Sequence, residues 1–323
     1  MAESTYRGVL PAIGLFFLAP FVSEYLLGDF SLTKFGYILI LAPFYGGGAL
    51  LIREVVRRSG KGWPTILMLA FAYGVLEEAF TTQTLFNPNY LKLNMHLLDP
   101  AYIPALGIGG WWTVFVLTLH TVWSISTSIA LVEACVPERA TTPWLGGIGL
   151  TVDSVLFALA AVASTRFQMK HDPFRASKTQ FVVSGIVVVL AAVAAFLLPA
   201  RPAGTNPEPA PSPWLAGAIG LIAGSIFLIV PPALAWGAIA IYLGLDLIVI
   251  LAVTTMSKCS GWGGIHRLAL AGGAALAYGW HAFLGKPVDG TTGLTIRLSN
   301  AICLLIIVTL IAFAAWQQQQ HAA

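Results

Sequence analysis

Residues 181–200 have the sequence FVVSGIVVVLAAVAAFLLPA, an apolar run without a charged side chain. About 20 consecutive apolar residues are enough for one helix to cross the hydrocarbon core of a bilayer. A helix that satisfies its own backbone hydrogen bonds is one of the few structures that lipid tolerates. The run therefore predicts a transmembrane helix.

The rest of the chain has a similar composition. Of its 323 residues, 57% are hydrophobic and only 10% are charged, whereas soluble domains carry about 25% charged residues. The net charge of +3 is too small to indicate a nucleic-acid partner. The lipid bilayer is therefore the predicted partner. The short loops and the small size favour a multi-pass protein of a bacterial cytoplasmic membrane.

The same length criterion predicts further helices along the whole chain. Tryptophans such as Trp63 and Trp214 lie at proposed helix ends, where an indole ring prefers the headgroup level. The first helix is expected to be retained, because no small-residue cleavage site follows it. The predicted fold is all-α, a polytopic transmembrane helical bundle of about ten spans. They are placed near residues 8–28, 35–52, 63–86, 111–135, 144–164, 181–200, 214–231, 233–257, 267–284 and 298–316.

Three stretches between or after the predicted spans have a different composition. The Pro-rich segment 201–213 is typical of a linker. It divides an N-terminal six-span block (1–200), which carries the candidate site, from a C-terminal four-span block (214–323). The segment 87–110 is long and rich in turn residues, with room for an interfacial helix. The polar tail QQQQHAA is predicted to be disordered.

Basic residues give an incomplete orientation. The densest basic cluster lies in 53–62, so this loop is predicted to be cytoplasmic. A second basic segment, 165–180, follows three predicted spans later and would lie on the opposite side. Either one of the intervening spans does not cross the membrane, or the second segment departs from the positive-inside rule.

Several ionisable residues fall inside predicted spans, where each costs on the order of 2.5–3.5 kcal/mol. Glu24 and Glu133 are near span ends, and Asp153 lies between hydroxyl residues, so all three are expected to hydrogen-bond neighbouring helices. Asp246 lies in mid-span, and a role in proton or ion movement is its alternative. Together with Asp153 it forms an alternative transport site. His281 is predicted to be interfacial.

The pair Glu77-Glu78 is different, because two adjacent carboxylates deep in one helix cannot both be ionised cheaply. Tyr73 and Thr81 are each four residues from Glu77, and Thr82 is four residues from Glu78. Side chains at this spacing share a helix face, so these hydroxyls are expected to hydrogen-bond the carboxyl groups. The pattern is typical of the polar wall of a cavity.

His120 lies about ten residues inside the next predicted span, with Ser124 four residues further on. The two spans are expected to be antiparallel neighbours. At 1.5 Å per residue, Glu78 and His120 both lie about 12–14 Å below the same surface. Glu77, Glu78 and His120 are therefore the candidate catalytic residues, and Ser124 is a supporting residue.

A glutamate pair in one span and a histidine in the next resembles the CAAX protease and bacteriocin-processing (CPBP) family of intramembrane endopeptidases. The resemblance covers residues 73–120. The family pattern is Glu-Glu-x-x-x-Arg, then Phe-x-x-x-His, then His-x-x-x-Asn or Asp. Glu77-Glu78 and His120 match it, whereas Thr82 replaces the arginine and Val116 the phenylalanine. The third motif is missing.

The resemblance implies that a glutamate, with His120, activates a water that attacks a peptide carbonyl. The substrate would be a membrane-embedded peptide or protein. No cofactor is predicted, and no metal, because Glu78 and His120 give only two ligands whereas catalytic zinc usually takes three. The alternatives are a proton- or ion-coupled transporter, in which acids of both blocks converge, and a non-catalytic scaffold, in which the acids only specify packing.

Overall fold

Helices make up nearly all regular structure in the computed structural model, which describes residues 2–200 and 206–322. In this part of the chain a helical segment lies at each of the ten predicted positions, which confirms the fold class. The segments are α1 (Ala2–Pro20) continued by a π-helical turn π1 (Phe21–Leu26), α2 (Ile38–Arg58) after a 3₁₀ turn (Leu32–Tyr37), α3 (Trp63–Leu76) continued by π2 (Glu77–Thr81), α4 (Gly110–Leu119) with π3 (His120–Thr127) and α5 (Ser128–Cys135), α6 (Gly147–His171), α7 (Lys178–Leu197), α8 (Pro213–Ile229), α9 (Trp236–Met256), α10 (Gly264–His281) and α11 (Gly293–Ala322).

Seven of the described helical segments are long and apolar enough to cross a membrane, and α8 is a shorter apolar helix. Helices α6, α7, α9 and α11 turn most of their apolar side chains outward; Ile148 of α6 and Leu197 of α7, for example, are 85% and 78% exposed. Exposed apolar surface of this extent marks contact with lipid. The chain is therefore an integral membrane protein.

Helix α10 lies inside the bundle, against α8, α11, α5 and the turns π1 and π3. Glycines bring α8 and α10 into backbone contact: a Cβ at Gly220 would lie 2.2 Å from the Leu270 carbonyl oxygen. Close contact at small residues is usual between membrane helices. The ring of Trp123 stacks on that of Tyr278 with a centroid distance of 4.6 Å. Residues before and after the predicted linker thus share one core.

Two local predictions are wrong. The segment 87–110 contains a 3₁₀ turn (Tyr90–Lys92) and a short antiparallel pair of β1 (Tyr102–Ile103) with β2 (Ile108–Gly109), and no interfacial helix is found in it. Leu91, Lys92 and three further non-glycine residues of the segment have positive φ, which excludes a continuous helix. The polar tail is helical through Ala322, because α11 continues to that residue.

The connections divide between two ends of the bundle. At the arginine end, defined by residues 53–62, 136–146, 206–212 and 257–263, the Lys61 ammonium donates to the Leu198 carbonyl oxygen (2.8 Å). Residues 206–209 pair there as β3 (Asn206–Pro209) with β4 (Cys259–Ser260); residues 201–205 of the predicted linker lie outside the described residues.

At the opposite end, Asn87 donates to the Asp172 carboxylate (2.7 Å), so residues 172–177 lie beside the 82–109 connection. The three helical segments between the two basic regions therefore all run from end to end. None of these described spans turns back, so one of the two basic segments departs from the positive-inside rule.

Candidate functional site

Each π-helical turn of the described chain carries an ionisable side chain that faces the others. Glu24 lies in π1, Glu77 and Glu78 lie in π2, and His120 begins π3. A π turn adds a residue to the helical repeat and rotates the side chains that follow, and such turns are frequent at functional sites. The packing of π1 against π3, and of α3 against π3, brings the four side chains into one cluster.

His120 bridges the two adjacent carboxylates. Its Nε2 lies 2.8 Å from Glu78 Oε1 in a hydrogen bond, and its Nδ1 lies 3.2 Å from Glu77 Oε2. Nδ1 is also 3.2 Å from the Ser124 hydroxyl. Glu77, Glu78 and His120 are only 3%, 4% and 4% exposed. The structure thus brings the three predicted catalytic residues together, with Ser124 as a supporting residue.

Hydroxyl groups hold the second oxygen of Glu78. The Thr82 hydroxyl donates to Glu78 Oε2 (3.1 Å), as the sequence predicts. Thr84 donates to the same oxygen, and it accepts in turn from the Trp112 indole N–H (2.9 Å). The contacts of Thr84 and Trp112 could not be predicted from the sequence, because the i,i+4 rule applies only within a helix. Thr84 lies beyond the end of the helix that carries Glu78.

Of the other two predicted hydroxyl contacts, that of Thr81 is wrong and that of Tyr73 is a close approach without regular geometry. Thr81 donates to the backbone carbonyl of Glu77 (2.5 Å) and not to a carboxylate, because a threonine in a helix readily donates to the carbonyl four residues before it. The Tyr73 hydroxyl lies beside the Glu77 carboxylate but makes no hydrogen bond of regular geometry with the described residues. Oxygen Oε2 of Glu77 is also buried without a hydrogen bond there.

The helix carrying the glutamates ends at Thr81, five residues earlier than predicted. Gln83 has a φ of 59°, which stops the helix, and its side-chain oxygen accepts from the Ala176 N–H (2.8 Å). The chain then folds back under the membrane surface, and Thr84 and Asn87 are buried. Glu78 is therefore covered by this returning segment and not by further helical turns.

Two glycines let the helices of the site approach each other. A Cβ at Gly74 would lie 3.1 Å from the Cβ of His120, and one at Gly48 would lie 2.5 Å from the Tyr73 ring. The Tyr45 ring stacks against His120 with a centroid distance of 6.2 Å. The imidazole is thus enclosed by α2 and α3, which fixes the plane of its ring.

Glu24 is a fourth member of the site that the sequence argument assigned to helix contacts near the membrane surface. The Tyr45 hydroxyl lies within hydrogen-bonding reach of both Glu24 and Glu77. His120 and Glu78 are the other ionisable groups that act electrostatically on Glu24. The contact with Tyr45 of α2 is the hydrogen bond to a neighbouring helix that was expected for Glu24. Its proximity to His120 and Glu78 was not expected, and it arises because π1 turns Glu24 toward them. The sequence feature that could have identified Glu24 as a site residue is its position inside an otherwise apolar run.

Comparisons with known proteins assign the chain to a family. Residues 14–316 match an uncharacterized membrane protein family. The chain belongs to that family. No curated protein and no solved structure matches the chain.

In this family member, the other intramembrane acids stay apart from the cluster. Asp246 accepts from the Thr118 hydroxyl (3.2 Å). Asp153 is buried against Gly47, and neither of its carboxylate oxygens has a hydrogen bond within the described chain, so its expected bond to a neighbouring helix is wrong. No ion pair or hydrogen bond joins Asp246 to Asp153 among the described residues. His281 is half-buried and likewise apart.

Glu133 has the structural role expected for it, with partners that the sequence argument missed. Its carboxylate accepts from Arg53 Nε (3.0 Å) and from Arg57 Nε and Nη2 (2.8 and 2.7 Å). Arg53 is fully buried and also pairs with Glu54 (2.8 Å). The positions of Arg53 and Arg57 at the end of α2 suggested a solvated loop, whereas α5 packs beside them and buries both.

Glu77, Glu78 and His120 are also a possible metal-ligand set in the described chain. One ligand atom from each lies within 4.8 Å of the others, so Glu77 adds a third ligand to the two expected. Two carboxylates and an imidazole are a donor set that suits zinc. Both imidazole nitrogens, however, lie next to carboxylate oxygens, an arrangement that equally serves proton transfer along Glu77, His120 and Glu78.

Proposed function

We propose that the protein is an intramembrane hydrolase of the glutamate type, which cleaves peptide bonds in membrane-embedded substrates. The observation that carries the proposal is the contact of one imidazole with two buried carboxylates, at 2.8 Å from Glu78 and 3.2 Å from Glu77. A base held against a histidine in a water-poor site is suited to remove a proton from water. The peptide substrate follows from the resemblance to the CPBP endopeptidases.

In this proposal each residue has a separate task. Glu78 takes the proton from a water whose oxygen attacks the peptide carbonyl carbon. The imidazole of His120 orients Glu78 through Nε2. It gives a ring proton to the leaving amine and is reprotonated by Glu78, which carries the proton taken from the water. The Tyr73 hydroxyl, which has no regular hydrogen bond within the described residues, is the donor best placed to stabilise the oxyanion. Ser124 and Thr81, two candidates for that task, already have partners.

Thr82 occupies the position of the arginine in the CPBP pattern. Its hydroxyl donates to Glu78 Oε2 at 3.1 Å, so a neutral donor takes over the orientation of the base. A hydrogen bond from a neutral donor is weaker than one from a guanidinium. Thr84 supplies a second donor to the same oxygen, which offsets part of the difference.

A purely structural role has less support. Networks that only specify packing satisfy the hydrogen bonds of their buried members. Here the Tyr73 hydroxyl and Glu77 Oε2 are buried next to each other, and neither has a regular hydrogen bond to the described chain. The carrier hypothesis also loses support, because it requires acids of both halves to meet, and Asp246 is bonded to Thr118 instead.

The test compares protein termini in membranes of cells that express the full-length chain. New termini within apolar segments should arise with the wild type and be lost with Glu78→Gln and with His120→Ala, since removal of a general base costs about 10²–10⁴-fold in rate. Glu138→Gln, at an exposed position of the arginine end, is the matched control. Identical sets of termini for wild type and Glu78→Gln, at equal protein levels, would overturn the proposal.

A further inference from the structure

A polar cavity lies at the arginine end, separate from the Glu78–His120 cluster. Its volume is about 200 Å³. Four regions of the chain contribute to it: the start of α3, the end of α5 with the turn that follows it, the start of α10 and the last turns of α11. The lining residues that matter to the argument are Trp63, Glu133, Gly264, Arg267, Gln318 and His321.

The charges around this cavity are unbalanced. Glu133 is the acid of the lining, and Arg53 and Arg57 already bind both of its oxygens. Arg267 adds another positive charge to the same place, and Glu133 and Arg57 are the groups that act on it electrostatically. Its guanidinium is half-buried and makes no hydrogen bond or ion pair with the described residues.

A guanidinium in this position needs an acceptor that the described chain does not provide. It presents five N–H donors in a planar fork, and a partly buried charge without a partner is costly. The nearest carboxylate is shared between two other arginines. An anion with several oxygens would satisfy the fork and balance the local excess of positive charge.

Two helix starts add to the attraction for an anion. Helix α3 begins at Trp63 and α10 begins at Gly264, and both residues line the cavity. Glycines precede both helices; in the described chain no side chain caps the start of α3, and at the start of α10 His266 Nδ1 accepts only the Gly263 N–H (3.2 Å). Free N–H groups at a helix start carry a partial positive charge and bind phosphate in many proteins.

We propose that this cavity binds a phosphate group, with Arg267 as its main ligand. Bidentate binding to phosphate oxygens is the geometry for which arginine is best suited. The cavity lies at the end of the bundle predicted to be cytoplasmic, beside Trp63, at the level of lipid headgroups. The phosphate comes either from an anionic phospholipid of that leaflet or from solution. The proposal is independent of the hydrolase reaction.

The first experiment uses the purified full-length wild type in a zwitterionic detergent. Equilibrium dialysis against radiolabelled inorganic phosphate, at constant ionic strength, measures binding from solution. Native mass spectrometry with didecanoyl phosphatidylglycerol, and with didecanoyl phosphatidylcholine for comparison, measures lipid binding. We expect one saturable site. Saturation by inorganic phosphate assigns a soluble ligand, and retention of phosphatidylglycerol alone assigns a lipid. Absence of saturable binding in both arms overturns the proposal.

The second experiment locates the site. Arg267→Gln should weaken binding about tenfold or more, the effect of losing one or two charge-assisted hydrogen bonds. Arg267→Lys should recover part of it. Arg297→Gln, at an exposed position of α11, is the matched control and should bind as the wild type does. If Arg267→Gln does not fold, Ala140→Phe narrows the same cavity without altering a charge. Binding that survives every folded Arg267 and Ala140 variant contradicts the assignment.

Discussion

Replacement of Glu133 by leucine should destabilise the protein by about 3–5 kcal/mol, the usual cost of leaving a buried charge without its partner. The cost falls mainly on Arg57, which would keep a contact of 3.5 Å to the Lys61 carbonyl oxygen and a distant position, 5.9 Å, over the Trp63 ring. It loses two charge-assisted hydrogen bonds to Glu133. At about 1.5–3 kcal/mol each, these account for a loss of the same size.

Arg53 should contribute little to this loss. Its Nη1 keeps the bond to Glu54, and its Nη2 keeps three backbone carbonyl oxygens at 2.9–3.1 Å. The double variant Glu133→Leu/Arg57→Met removes both the carboxylate and the arginine that would otherwise be left without a partner. It should therefore recover most of the stability, because replacement of a buried ion pair by apolar residues is often close to neutral.

The assay is reversible unfolding in mixed micelles by increasing mole fractions of dodecyl sulfate, followed by tryptophan fluorescence. Glu138→Leu, an exposed acid five residues away, is the control and should lie within about 0.5 kcal/mol of the wild type. A loss below about 1 kcal/mol for Glu133→Leu, or a double variant no more stable than the single one, would refute the assignment of Arg57 to this carboxylate.

Four further predictions use the same preparations. Glu24→Gln should slow the appearance of new termini about tenfold without loss of stability, as expected for the loss of one charge interaction near the base; an unchanged rate would remove it from the site. Thr84→Val should slow the same reaction by a similar factor, because it removes a hydrogen bond that orients the base; a wild-type rate would contradict this. Gly46→Ala should prevent folding, since its Cβ would lie 1.9 Å from a backbone oxygen of α1, whereas Gly244→Ala, with no atom within 4 Å, should be neutral or slightly stabilising in thermal melts. Burial opposes the ionisation of Asp172, but hydrogen bonds from two backbone N–H groups hold the pKa of this carboxyl below its usual value. The ionised carboxylate therefore stabilises the fold fully above about pH 4, and this contribution is lost as the pH falls further. With Asp172→Asn, the free energy of unfolding should depend less on pH in this acid range.

The helices were predictable because their signal is strong and local. A run such as 181–200 contains its own evidence, and the structure has α7 at Lys178–Leu197. The contact between Glu78 and His120 was predictable from depth alone, since adjacent antiparallel helices place residues at equal depth side by side. This depth argument applies only to helices that follow each other in the chain, so it could not predict contacts between more distant helices.

The missed features depend on local geometry that residue spacing does not encode. A π turn changes which way every later side chain points, so the 3.6-residue repeat fails for Glu24 in π1. Thr81 was missed because its hydroxyl bonds the backbone carbonyl of Glu77 and not the carboxylate. The end of the helix at Thr81 depends on one left-handed residue, Gln83, whose side chain is held by a distant segment. Arg53 was assigned to a loop because its partner Glu133 is 80 residues away.

The three π turns also bear on why the site can exist in lipid. A π turn breaks the regular ladder of backbone hydrogen bonds, and in a membrane each freed carbonyl must find another donor. In π2 the Glu77 carbonyl accepts the Thr82 backbone N–H (3.0 Å) and also the hydroxyls of Thr81 and Thr82, at 2.5 and 3.2 Å. Thr82 therefore has two roles, to support the backbone of the π turn and to orient the base. A substitution of Thr82 by valine should for this reason affect stability and reaction rate together, whereas Thr84→Val should affect mainly the rate.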